Sequence, residues 1–411
     1  GLLNLIKAPT TITNAAAWSA LNGSEARITS DYNTGYMTGD IKGAWLSDTD
    51  ATDVTGSELV SNGGFDSATT GWTFSDSSGA SVSGGQSGNC LEVTHTGSGG
   101  DNVNQALTLV VGKVYVVTGY VKSGTSGNQS FMIGAKTNNG ATWIEDYIGT
   151  SSGSWVQYSV TFTATETNNL VYLRKNSTTS GTMLFDSISV RLADPDRSVN
   201  GNGLQVFGTV DKDAVATGAE LVSYSGWSTS NYLQQPYNSD MNFTTDMSIS
   251  YWIKGGNASQ SLMERGSGTR YSAQSWHIYH DGGSDYRLTL HSNGATEQQF
   301  EIADVVGTST WQHVVWTLSG GIVKGYWNGD EKSSASFSGT LTTQSSNPIR
   351  IGRSPVATAG HSGELALIRI SGTAPSAEQI KKIYNDEKHL FATNAKATLY
   401  GSSDAVTALA Y

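Results

Sequence analysis

Two carboxylates on one strand face are what glycoside hydrolysis requires, so the acidic residues are weighed first. Glu145 and Asp146 are adjacent, and on a strand they would point to opposite faces. Glu364 is the lone carboxylate of its segment, GELALIRI. Gly149-Thr150-Ser151-Ser152-Gly153 matches the spacing of a nucleophile elbow, but it lies in a polar stretch with no apolar helix after it. The seven histidines show no H-E-x-x-H or other ligand spacing. Asp48, Asp50 and Asp53 form an acidic run that lacks the glycine and distal glutamate of an EF-hand loop, and it reads as a solvated linker. None of these patterns supports catalysis.

Sugar recognition needs aromatic platforms for the apolar face of a pyranose, with amides and carboxylates for its hydroxyls. Trp143, Tyr147 and Trp155 are candidates in one region of the chain. His277, Tyr279 and Tyr286 are candidates on a hairpin at 276–291, with Arg265 and His361 read as loop residues. His277 and Tyr279 share the face opposite Trp276 and Ile278 and are expected to be exposed. Trp72, Trp252, Trp311, Trp316 and Trp327 are read as core, while for Trp143 and Trp155 core and site both stay open.

These residues need a scaffold, and the composition says which. A chain of 411 residues is long enough for two or three cores. Only 14% of residues are charged, glycine is abundant at 48, and 11 Trp with 18 Tyr argue against disorder. A net charge of −11 without a basic cluster speaks against a nucleic-acid partner. No apolar run reaches membrane-spanning length, so no membrane insertion is expected. The start lacks both a Met and the regions of a signal peptide, which suggests a processed or partial chain. Cys90, the one cysteine, reads as a small buried residue.

Along the chain, 1–56 reads as an N-terminal linker or partial segment with a short helix in ITNAAAWSALNGSEARI. Residues 57–193 are a series of short strands separated by Gly, Asn and Ser turns, the pattern of a β-sandwich. DPDRSVNGNG marks a linker at 194–203, and a second sandwich follows over 204–391. Within it, WQHVVWTLSGGIVKGYWNGDE (311–331) reads as strand, Gly turn, strand and Asn-Gly turn, with bulk on both faces of the first strand. Ser376 and Gln379 are placed as a capping box opening a helix after Pro375. The fold class expected is therefore all-β, two consecutive jelly-roll β-sandwiches.

The W-x-H-V stretch, the Gly turn and the aromatic pair before Asn328-Gly329 resemble the central hairpin of concanavalin-A-like (laminin-G-like) jelly rolls. TTDMSISYWIKGG resembles another strand of that fold, with Met247 in place of the usual Phe. In the first sandwich, Asn62, Gly63, Phe65, Asp66, Gly71 and Trp72, then Val111-Gly112-Lys113 with Tyr115, then Phe185, Asp186, Ile188 and Val190 resemble the carbohydrate-binding modules of xylanases and cellulases. That resemblance implies a structural calcium at Asp66 and Asp186. TLYGSSDAVTALAY, in the 392–411 segment, resembles the start of a β-propeller blade. The order of all these segments resembles tail-fibre-type proteins of bacteriophages and prophages. It implies a non-enzymatic adhesin in the virion tail (extracellular), which binds host cell-surface polysaccharide as a homotrimer beside other virion tail proteins. Two other readings stay open: an ancillary part of a secreted polysaccharide-degrading enzyme, and a purely structural decoration.

Overall fold

The computed structural model describes residues 39–97, 101–257, 260–269, 272–281, 285–292, 296–303, 308–353 and 360–395. The helix expected before residue 38 and the propeller-like strands after residue 395 lie outside them. The described chain is almost entirely antiparallel β, as the alternation and turn chemistry required.

The first sandwich has two five-stranded sheets. One runs Thr73–Ser75, Asn102–Thr108, Asn168–Lys175, Ser130–Thr137, Trp143–Thr150. The other runs Ser77–Ser83, Asn89–His95, Thr182–Asp194, Val114–Ser123, Val156–Thr163. Alternate residues of both sheets fill the space between them, among them Leu91, Val117, Val121, Phe131, Ile133, Val171 and Phe185. Cys90 is buried and unpaired, as read from its strand.

In the second sandwich, one sheet runs Asp330–Ser336, Ile322–Trp327, Gln312–Ser319, Met247–Lys254, Glu364–Ser371. Its two tight turns carry positive φ at both central positions, Gly320-Gly321 and Asn328-Gly329. That backbone matches the twist of a two-residue hairpin and costs these residue types little. The Gln312–Ser319 strand is buried on both faces, because the helix Ala377–Glu387 covers the side away from the core. Ser376 and Gln379 form the expected capping box. The facing sheet is built from Leu204–Ala214, Tyr232–Gln235, Ile349–Ile351, Ser261–Thr269, Ser272–His280, Tyr286–Ser292 and Thr296–Ile302.

One boundary expectation needs correction. Residues 39–56 are not a separate linker: Ile41–Trp45 pairs with Ile368–Ser371, and Val54–Gly56 pairs with Gly208–Val210. Trp45 is fully buried in the second core, its ring folded over Gly43, where a Cβ would stand 2.2 Å from it. The first sandwich is therefore inserted between two pieces of the second. The 194–203 stretch lies between the sandwiches, as expected of a linker, and bonds tie it to both. Thr182–Asp194 runs out of the first sandwich and pairs with Leu204–Ala214 of the second. Buried Asp194 accepts from Leu46 N (3.0 Å) and from the Tyr224 hydroxyl, while Asp196 accepts from Ala44 N, Ser198 N and Asn202 N, each at 2.8 Å. The signal missed was the acidic residues themselves, which punctuate a linker in composition but here accept backbone N–H groups across the joint.

Candidate functional site

The outward row of Val156–Thr163 and its neighbours carries the most sugar-like chemistry. Tyr158, Val160 and Phe162 pack into the core, so by alternation Trp155, Gln157, Ser159 and Thr161 face out. The adjoining strand presents Lys122, Tyr120 and Thr118 on the same side. Trp155 is half-buried, its indole N–H donating to Gly84 O at 3.3 Å and its ring 5.7 Å from Lys122 Nζ. Tyr120 lies beside Gln157, and burial with the neighbouring Asp186 raises its hydroxyl pKa. Trp155 through Thr161 spans roughly 20 Å at ~3.3 Å per residue, the reach of a short oligosaccharide.

Tyr147 is 39% exposed and stands where the edge strands of the two sheets meet, its ring 5.0 Å from Tyr158 and 6.1 Å from Phe131. Trp143 is elsewhere. It sits on the outward face of the other sheet, edge-on to Tyr172 at 5.2 Å, with Lys136 Nζ 4.5 Å from its ring centre. Trp143 and Trp155 are thus on opposite faces and cannot share a ligand.

The second-sandwich candidates are buried. His277 and Tyr279, expected to be exposed, are each 5% exposed. They do face away from Trp276 and Ile278, but that face is itself packed. His277 Nε2 and the Ser261 hydroxyl are 2.8 Å apart, and the His277 and Tyr279 rings stack at 4.8 Å. Tyr286 lies in the core, edge-on to His280 at 4.3 Å. His361 is equally buried, 5.4 Å from His280, and burial holds its imidazole well below the ordinary histidine range. Arg265 is no loop residue: it lies on Ser261–Thr269, 1% exposed. Its Nη2 donates to Asn238 O and Asn242 Oδ1, both at 2.9 Å, and burial lowers its pKa to about 10. It supports the 235–242 loop from beneath.

Asp66 and Asp186 converge on one loop, but through N–H donors. Asp66 Oδ1 accepts from Asn89 N at 3.0 Å, and Asp186 accepts from Ser87 N at 3.1 Å and Ser187 N at 2.5 Å. Among the described residues no group of three or more His, Cys, Asp or Glu is placed to hold a metal ion.

Residues 57–181 match the family model described as a carbohydrate binding domain. This module is similar to sugar binders. Residues 227–381 match the model of the concanavalin A-like lectin/glucanases superfamily. Both models describe the jelly-roll sandwiches seen here. Comparison with curated proteins finds no match. Among solved structures, the binding domain of Paraclostridial Mosquitocidal Protein 1 is similar at 16% identity and a TM-score of 0.40, over 47% of this chain and 49% of that one. The chain thus spans about half the length of that relative. Domain 4 of AbnA, a GH43 extracellular arabinanase from Geobacillus stearothermophilus in complex with arabinotriose, is similar at 16% identity and a TM-score of 0.37, over 46% of this chain and 92% of that one. Likeness at this level carries no argument about function. Among the described residues, no helix is long and apolar enough to cross a membrane.

Tyr120, Gln157 and Tyr158 were missed in the sequence, although the alternation of WVQYSVTF places Gln157 on the row of Trp155.

Proposed function

We propose that the chain binds glycans through the outward face of its first sandwich and does not cleave them. The observation that carries this reading is Trp155, pinned by Gly84 O on an open row with Gln157, Ser159 and Thr161, within the segment that matches a carbohydrate-binding family. A pinned ring can lie against a pyranose at little entropic cost, and the amide and hydroxyls beside it suit sugar hydroxyls. Absence of cleavage is supported by the carboxylates. Glu364 is engaged by Lys254 Nζ and the Ser223 hydroxyl, both at 2.8 Å, and Glu145 with Asp146 are consecutive strand residues.

The finer reading is an adhesin of a phage or prophage tail fibre, trimeric in the virion tail and directed at host-surface polysaccharide. The order of segments in the sequence supports it. A carbohydrate-binding part of a polysaccharide-degrading enzyme or of a toxin fits the same pair of modules. Such modules gain from multiplicity, since several weak sites on one assembly bind by avidity. Probing bacterial surface polysaccharides with the chain, with a reducing-end assay alongside and the solution mass measured, tests the whole reading. Binding without new reducing ends is expected, and a monomeric mass for the full-length protein removes the trimer.

A further inference from the structure

Where the two sandwiches meet they enclose a cleft of about 700 Å³, within the range of small-molecule sites. One wall is the far end of the row described above, Gln157, Ser159 and Thr161, with Tyr147 and Tyr158 at its rim. The opposite wall is the 235–240 loop of the second sandwich, bearing Gln235, Tyr237 and Asn238, and the floor is 200–203.

This cleft is held in shape by bonds crossing it. Gly203 N donates to Thr161 Oγ1 at 3.2 Å, tying floor to first wall. Asn238 Nδ2 donates to Asn202 Oδ1 at 2.7 Å, tying floor to second wall, and Arg265 braces that wall from below. Asn202 is itself fixed by Trp45, whose indole N–H donates to its carbonyl at 2.6 Å. Because these bonds preset the walls, a ligand entering would have little ordering cost to meet.

The lining has a definite chemistry. It combines amides, hydroxyls and three tyrosine rings with Val116, Val156, Val160, Val199 and Pro236; its charges are Glu145 and Asp240, with no Lys or Arg. Gln235 lines it at 2% exposure. A polyanion would meet two carboxylates and no cation.

We propose that the inter-module cleft is a sugar subsite continuous with the Trp155 row and built by both sandwiches, and that it takes a neutral, hydroxyl-rich stretch of a longer oligosaccharide. This rests on the reading that the first sandwich binds glycans. The second sandwich then acts as a wall of the same site, so that length and charge of the glycan are read at the joint.

The test uses the full chain titrated by calorimetry with neutral cello-, xylo- and malto-oligosaccharides, each as disaccharide and hexasaccharide, and with a hexameric oligogalacturonide. Wild type should bind a neutral hexasaccharide more tightly than its disaccharide and the oligogalacturonide more weakly than either. Tyr237→Ala should cut hexasaccharide affinity by about tenfold, as loss of a ring contact does, and leave the disaccharide unchanged. Ser239→Trp, at an exposed position of the second wall and outside the Trp155 row, narrows the cleft without removing any packed side chain; it should do the same and covers the case in which Tyr237→Ala fails to fold. If Trp155→Ala weakens binding while Ser239→Trp and Tyr237→Ala leave the hexasaccharide unaffected, the cleft is not a subsite, and the reading of the first sandwich stands. Preferred binding of the oligogalacturonide also overturns the cleft proposal. No binding of any probe by wild type overturns both.

Discussion

Trp155 and Tyr279 were candidates of one kind in the sequence, and the structure gives them opposite expectations. Trp155→Ala removes a half-buried ring that lies outside the core cluster, 5.7 Å from Lys122 Nζ, so glycan affinity should fall about threefold to tenfold while the melting temperature hardly moves. Tyr279→Ala removes a buried ring stacked on His277 and should destabilise the second sandwich by about 3 kcal/mol, read by denaturant titration, with no direct effect on sugar contacts. Alternation correctly put His277 and Tyr279 on the face away from Trp276. What it could not carry is whether that face is open: His277 is bonded to Ser261 of the neighbouring strand and both rings are buried. The same limit hid Arg265, whose role depends on a loop folded over it. Asp66 and Asp186 were found as a pair by resemblance, and they do secure one loop. Calcium there is a proposal with a clear readout. A melting temperature that rises with calcium, and no longer does so in Asp186→Asn, supports it. An unchanged melting temperature with chelator assigns the anchoring to the amide bonds alone.

At the scale of elements, the helix Ala377–Glu387 and the strands beneath it form a second, apolar layer that also holds a buried ion pair. Glu387 is fully buried, 2.6 Å from Arg369 Nη2, and accepts from the Trp252 indole N–H at 2.8 Å. Glu387→Gln leaves the Arg369 guanidinium buried without its counter-charge and should cost about 3 to 5 kcal/mol by denaturant titration. This element was legible in the sequence because Ser376, Gln379 and the apolar spacing are local signals; its ion pair joins residues on separate elements and was not. Burial also sets a pH response. His313 is pushed down to about 3, by burial and then by Arg369, and His280 to about 4 by burial. Both are neutral in the folded state and bind protons more readily unfolded. Their contribution is fully present above the ordinary histidine value of about 6.5, and falls as pH drops from there through about 4 toward 3, by roughly 1 kcal/mol per pH unit for each. Thermal melts of the second sandwich between pH 7 and pH 4 should show this decline, reduced in His280→Asn if that variant folds.

At the scale of the whole molecule, the order of domains along the chain differs from their order in space. Ile41–Trp45 completes a sheet whose other strands begin after residue 200, with the first sandwich inserted between. Arg191 of the first sandwich lies 4.2 Å from the centre of the Phe207 ring of the second, adding to the Asp194 and Asp196 bonds across the joint. A fragment beginning at residue 204 loses Trp45 from its core and bares the edge at Ile368–Ser371, so it should be insoluble or melt far lower than a fragment from residue 39 to 395. No local pattern reveals such an insertion, because five residues of IKGAW carry no address for a partner strand more than three hundred residues away. The two jelly rolls were legible because each announces itself by short strands and turn residues. The central claim, a glycan binder that leaves its ligand intact, is tested most directly by calorimetric titration of the full chain with neutral oligosaccharides, with reducing ends counted in the recovered solution. The account predicts saturable binding that weakens in Trp155→Ala, with no new reducing ends; absence of binding, or the appearance of new reducing ends, would contradict it.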